Sequence, residues 1–224
     1  MNDRLIEIYD LLLARYGHRH WWPAETPFEV CVGSILTQNT NWVNVEKAIA
    51  NLKRNECLSP EALRDIPIVA LAELIRPAGY FNVKSERLKG FIHWLFESFG
   101  GSVERMAEAE MTPLRADLLR VKGVGPETAD SILLYACGKP SFVVDAYTKR
   151  LLAALGLISG REGYEEVRNL FMDNLPPDVQ LFNEYHALIV QHAKEHCRKR
   201  PQCPGCPLHF CQAADVSKNL ALRA

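Results

Sequence analysis

Four cysteines near the end of the chain form its densest set of reactive side chains. Cys197, Cys203, Cys206 and Cys211 fall within 15 residues, spaced C-x5-C-x2-C-x4-C. In a reducing compartment, thiolates this close point to a metal rather than to disulfides. Structural zinc usually shows two C-x2-C knuckles. Here Cys203-Pro204-Gly205-Cys206 is the single knuckle, and one compact loop suits a [4Fe–4S] cubane. Spacing by itself leaves iron–sulfur, zinc and unliganded thiols open. Cys31 and Cys137, in apolar surroundings, read as small buried hydrophobes.

A second candidate is Gly123-Val124-Gly125-Pro126, between the apolar segment ending at Leu119 and another beginning at Ala129. Two glycines flanking one residue permit a tight turn and close backbone approach. Pro126 starts a helix whose first N–H groups have no partner within it. Such amides, at the positive end of a helix dipole, can seat a phosphate. The contact positions a nucleic acid without reading its sequence. Asp145 is a third candidate. It follows the apolar run Phe142-Val143-Val144 and precedes a helix, with Thr148 three residues on. Read locally, it is a helix cap worth about 1 kcal/mol.

The elements that position these residues read as helix after helix. Residues 3–16 carry a helical apolar stripe that stops at Gly17. Thr26-Pro27 makes a cap and first helical position for a helix through about Leu36. Further helices are expected over 41–54, from Ser59-Pro60 to Arg64, over 71–75, over 84–99, from Thr112-Pro113 to Arg120, and over 146–155. Tyr147 and Tyr185 read as core. Lys149 is expected to pair with a carboxylate or a phosphate. His18 and His20 read as surface or structural residues. The class is therefore all-α.

No run of 18 apolar residues suggests a membrane span. Met1-Asn2-Asp3-Arg4 lacks a signal-peptide plan, so a reducing cytoplasm is the expected home. The formal charge of −1 excludes an indiscriminate polycation. It hides an asymmetry: residues 191–224 hold six basic and two acidic side chains, a net +4, leaving −5 on the other 190. A local basic segment of this kind suits salt-sensitive phosphate contacts.

Gly123-Val124-Gly125, Thr128-Ala129, Val143-Val144-Asp145 and the four cysteines, in that order, resemble the endonuclease III-like branch of the helix–hairpin–helix (HhH-GPD) DNA glycosylases. The likeness runs from about residue 27 to 211. It implies two helical lobes, residues 25–137 as a bundle ending in the hairpin and residues 1–24 with 138–224 carrying a [4Fe–4S] loop, with the active cleft between them. It makes Asp145 catalytic. Glu127 falls where bifunctional members hold a Schiff-base lysine. Glutamate cannot form an imine, so the resemblance implies a monofunctional glycosylase. Trp21-Trp22-Pro23, Leu36-Thr37-Gln38-Asn39-Thr40-Asn41-Trp42 and Arg76-Pro77-Ala78-Gly79-Tyr80-Phe81-Asn82 are similar to the 3-methyladenine DNA glycosylase III group. That group implies Trp21, Trp22 and Trp42 as a base pocket, with Glu127 shared, and Gln38 entering the duplex to fill the gap left by the flipped nucleotide. Lys122, the hairpin residues Gly123, Val124 and Gly125, and Arg198, Lys199 and Arg200 would contact phosphates.

The chain departs from both groups. The glycosylase III type example lacks the cysteine loop, each long arm of the loop is one residue shorter than in endonuclease III proper, and Lys122 replaces a common proline. The expected partner is double-stranded DNA carrying a damaged base, the expected state a monomer, nucleoid-associated in a prokaryote. A uracil or thymine mismatch glycosylase, a broader-lesion enzyme with residual lyase activity, and a catalytically silent DNA-binding module are the alternatives. An adenine glycosylase fits less well, because little sequence follows Cys211 to build a mismatch-reading domain.

Overall fold

The stripe over residues 3–16 forms helix α1 (Asn2–Tyr16), burying Leu5, Ile8 and Leu12. Three caps set the next helices. Thr26 Oγ1 accepts from Glu29 N at 3.1 Å and starts α2 (Pro27–Leu36). Asn41 Oδ1 accepts from Asn44 N at 3.0 Å and starts α3 (Trp42–Arg54). Ser59 Oγ accepts from Ala62 N at 3.1 Å and starts α4 (Pro60–Asp65). Each cap satisfies a donor that the first turn leaves open.

The helices α5 (Ile68–Leu74), α6 (Phe81–Phe99) and α7 (Val103–Glu108) follow. The start of α6 lies three residues before the expected Lys84, because Tyr80 adopts the left-handed conformation and serves as its cap. The next helix, α8 (Met111–Arg120), begins with Glu110 at the cap. Thr112-Pro113 therefore does not start it and lies inside its first turn, where a proline costs no hydrogen bond. The hairpin leads into α9 (Pro126–Ser131), which continues as a π-helical turn, Ile132–Ala136. The chain then forms α10 (Ala146–Ala154), α11 (Tyr164–Met172) and α12 (Val179–Glu195).

This computed structural model describes residues 1–19, 21–198, 200–208 and 210–211. Among them no β-strand occurs, and no helix is long and apolar enough to cross a membrane. His20, Lys199 and residues 212–224 lie outside the described residues.

The chain separates into two compact units, one of Trp22–Lys139 and the other of Met1–Trp21 with the chain from Pro140 onward. In the first, α2 is the central element. Phe28 through Leu36 are all buried, and α2 packs on α3, α6, α9 and the π turn. A mostly apolar helix buried on every side must be enclosed by others. In the second, α12 packs against α1 and α10. Its core holds Phe142 stacked on Phe171 at 3.7 Å, with Tyr185 meeting both rings edge-on. Tyr185 is core as expected, and its hydroxyl donates to Leu5 O at 2.8 Å. Cys31 and Cys137 are also buried. Tyr147 is only half-buried and lies under the Arg150 guanidinium.

Candidate functional site

The hairpin is built by clamping α8 to α9. Arg115 on α8 grips Asp130 on α9 with two parallel bonds, Nε to Oδ1 at 2.8 Å and Nη2 to Oδ2 at 2.9 Å. Asp130 is fully buried, so the pair is shielded from water and costly to break. Sequence reading passed over it, because 15 residues separate the partners.

The two glycines of the turn differ. Gly123 has φ +91°, and a Cβ there would lie 2.3 Å from Arg87 Cγ. The fold itself demands glycine at this position. Gly125 has φ −91°, and a Cβ would meet nothing within 4 Å. Its outer side is open, next to the first N–H groups of α9. Lys122 is exposed beside the turn, and Glu127 is exposed in the first turn of α9, where a carboxylate complements the helix dipole.

The structure brings Gln38 to this hairpin. Its Nε2 donates to Gly123 O at 3.0 Å and to Thr128 Oγ1 at 2.9 Å, and its Oε1 accepts from Arg87.

Asp145 is the N-cap of α10, as its spacing to Thr148 predicts. Its Oδ1 accepts from Thr148 N at 2.7 Å and from Thr148 Oγ1 at 2.9 Å. Its Oδ2 lies 3.6 Å from Nε2 of His186, a buried residue of α12. Burial opposes ionisation of Asp145. The nearby His186 and the bonds from Thr148 outweigh it, and the carboxyl is held below its ordinary value. His186 was not foreseen. Its one signal was a polar residue inside the apolar run of α12.

Trp22 and Trp42 meet edge to face, centroids 5.0 Å apart and planes at 90°, and Trp22 also packs on Tyr135. The pair is therefore not two parallel plates with a base-sized slot between them. Both indoles lie over Gly33, where an added Cβ would meet Trp42 Cη2 at 3.5 Å and Trp22 Cζ2 at 3.6 Å, ordinary van der Waals distances. Trp21 lines a hollow with Tyr9, Asp178 and Glu184.

The family described as HhH-GPD superfamily base excision DNA repair protein matches residues 32–177, from α2 through the hairpin and Asp145 to α11. The chain belongs to that superfamily. A protein of Methanocaldococcus jannaschii named as a putative DNA repair glycosylase is 50% identical over 212 residues, covering 93% of this chain and 96% of the relative. Endonuclease III of Thermotoga maritima is 29% identical over 181 residues, 80% and 79% of the two chains. Among solved structures, Helicobacter pylori 3-methyladenine DNA glycosylase bound to 1,N6-ethenoadenine is similar at TM-score 0.73 and 30% identity, over 87% of this chain and 97% of that one. A trapped endonuclease III–DNA covalent intermediate shares the fold at TM-score 0.84 and 22% identity, over 97% and 99%.

This HhH-GPD chain carries its cysteine loop directly after α12. Cys197 and Cys206 place their Sγ atoms 3.8 Å from Nε2 of the buried His192, whose Nδ1 lies 3.1 Å from the Tyr16 hydroxyl. Cys211 donates to Ala154 O at 3.2 Å. Burial, then the proximity of Cys211, Cys206 and Cys203, pushes the Cys197 thiol up to about 12. Among the described residues no three His, Cys, Asp or Glu side chains are arranged as a metal-ion site. The mutual repulsion of these thiols on ionisation is the donor-set chemistry that a cationic iron core relieves, and in that respect the four residues fit such a group.

Arg198 and Arg200 are exposed on this loop, and Arg198 donates to Lys194 O at 2.6 Å. His18 is a surface residue, 3.4 Å from Glu184. Lys149 donates to the backbone carbonyl of Glu162 at 3.0 Å. Its partner here is thus a backbone carbonyl of the loop before α11 rather than a carboxylate.

Proposed function

We propose that this chain is a monofunctional DNA glycosylase that hydrolyses the N-glycosidic bond of an alkylated purine such as 3-methyladenine. One observation carries the reading: a shielded carboxylate favoured in its ionised form at Asp145 is combined with a carboxylate, not an amine, at Glu127. The first suits water as nucleophile; the second removes the Schiff-base route.

The target base must leave the stack, at a cost of roughly a few kcal/mol that is smallest for a damaged base. Gly123, Val124 and Gly125 with the first amides of α9 would seat one phosphate, with Lys122 beside them. Arg198, Lys199 and Arg200 would hold others. Gln38 would support the vacated stack. The indoles of Trp21, Trp22 and Trp42 would offer apolar faces to a cationic base, which they attract through their ring quadrupoles. A cationic purine is already a good leaving group and needs little acid assistance. Asp145 Oδ1 accepts from Thr148 and Oδ2 faces His186 at 3.6 Å; the carboxylate held by both would stabilise positive charge on the sugar and orient or deprotonate the attacking water. The solved relative bound to ethenoadenine supports a modified adenine as the substrate class.

Cys197, Cys203, Cys206 and Cys211 would hold a [4Fe–4S] cluster. When bound, that group supplies a structural crosslink for the loop bearing the arginines.

The test is base release from duplexes carrying 3-methyladenine, 7-methylguanine, ethenoadenine, hypoxanthine, or uracil or thymine opposite guanine. Release of an alkylated base is expected, with the strand intact until alkali and no borohydride-trapped adduct. Release restricted to the mismatches would move the assignment to that class. Release unaffected by Asp145→Asn would sink the mechanism.

A further inference from the structure

We infer that Arg87, outside the hairpin and assigned no role above, is a positioning residue that fixes Gln38 against the phosphate-seating turn. The inference rests on the proposed roles of Gln38 and the hairpin, and every contact it uses lies within Trp22–Lys139.

Arg87 touches both partners. Its Nη1 donates to Gln38 Oε1. Its stem lies where a Cβ of residue 123 would sit, with Cγ at 2.3 Å, Cδ at 2.7 Å and Nε at 2.9 Å from that point. Arg87 thus covers Gly123 and holds Gln38 together. The carboxamide of Gln38 is consequently used at both ends. The oxygen takes the guanidinium, and the nitrogen gives its two protons to Gly123 O and Thr128 Oγ1. That arrangement also fixes which end is which, because a guanidinium only donates.

One turn earlier on α6, the buried Lys84 donates to Leu36 O at 2.8 Å and to Ala78 O at 2.7 Å. Lys84 holds the last carbonyl of α2, and Arg87 holds the side chain two residues further on. Asn39 then takes φ +54°, turning the backbone immediately after Gln38. A residue meant to fill a gap in a duplex must sit at a set offset from the phosphates that the enzyme grips. A charged hydrogen bond on a helix-borne arginine sets that offset before DNA arrives, as preorganisation requires.

The experiment is a double-mutant cycle with Arg87→Ala, Gln38→Ala and the pair. The first readout is single-turnover base release from the lesion accepted in the panel above. The second is binding preference for a duplex with an abasic-site analogue over the intact duplex. Each single change should lower both by about tenfold or more, the size of a hydrogen bond to a charged group. In the Gln38→Ala background, Arg87→Ala should add less than about twofold, since contacting residues are not additive. Arg87→Lys keeps the charge without the fork and should behave like Arg87→Ala. Independent, multiplicative losses would overturn the inference, as would full activity of Arg87→Ala or of Arg87→Lys. A fall in melting temperature without any change in abasic-site preference would also overturn it, leaving Arg87 merely structural. If wild type releases no base, the glycosylase reading fails, and the abasic-site preference still decides the coupling.

Discussion

Glycine at 123 and glycine at 125 answer to different demands, so alanine should separate them. At Gly123, φ is +91° and the new methyl would overlap the Arg87 stem at 2.3 Å. A side chain in that backbone region costs about 1–2 kcal/mol, and overpacking adds about 1–3 kcal/mol. Gly123→Ala should therefore cost about 2–5 kcal/mol, or about 5–15 °C in melting temperature for a chain of this size. At Gly125, φ is −91° and the methyl meets nothing. Loss of a favourable cap residue and gain from a stiffer unfolded chain are each within about 1 kcal/mol and of opposite sign. Gly125→Ala should melt close to wild type, yet its methyl projects where, in the proposed function, a phosphate would approach the α9 amides. Its DNA affinity should fall about tenfold, and the salt dependence of binding should lose about one phosphate's worth of slope. Thermal unfolding by circular dichroism and anisotropy of a labelled duplex at several salt concentrations measure both. A Gly123→Ala protein as stable as wild type, or a Gly125→Ala protein with unchanged affinity and slope, would refute the reasoning.

Asp145→Asn keeps a capping side chain and loses only its charge, so at neutral pH it should melt below wild type but above Asp145→Ala, whereas base release should drop about 10²–10⁴-fold; equal melting of Asp145→Ala and Asp145→Asn would show that the cap contributes nothing. Because the Asp145 pKa is lowered on folding, its ionic contribution is fully present above the unfolded value of about 3.9 and fades as pH falls through the lower folded value. The stability gap between wild type and Asp145→Asn should shrink correspondingly in acid titrations. Burial, and secondarily Arg87, lowers Lys84 to about 8. The folded state thus binds fewer protons than the unfolded state between about 8 and 10.4, and wild type should gain stability relative to Lys84→Met as pH rises through that window, as urea unfolding at stepped pH will read. Asp130→Ala removes the buried carboxylate that joins α8 to α9 and should cost about 3–5 kcal/mol in chemical denaturation. Cys203→Ser should remove the visible absorption and bound iron of the purified protein; a colourless wild type containing zinc would overturn the cluster.

Local chemistry was legible in the sequence. The all-α class followed from 3.6-residue periodicity. The caps at Thr26, Ser59 and Asp145 followed from residue type beside a helix start, since a cap is a contact across three residues. The G-V-G turn and the cysteine loop were equally local. Helix starts were misread where a distant or unusual conformation decided them, as with Tyr80 at the head of α6.

What tertiary structure alone decided were the partners brought together from far along the chain. His186 comes to Asp145 from 41 residues away, Arg115 locks Asp130, and Arg87 joins Gln38 to a hairpin 85 residues beyond it. Trp22 and Trp42, 20 residues apart in sequence, meet edge to face over Gly33. Sequence fixes which side chains can donate, accept or ionise. Packing of α2, α6 and α9 in one unit, and of α10 and α12 in the other, determines which of them meet, because helix faces pair by shape and burial rather than by order along the chain.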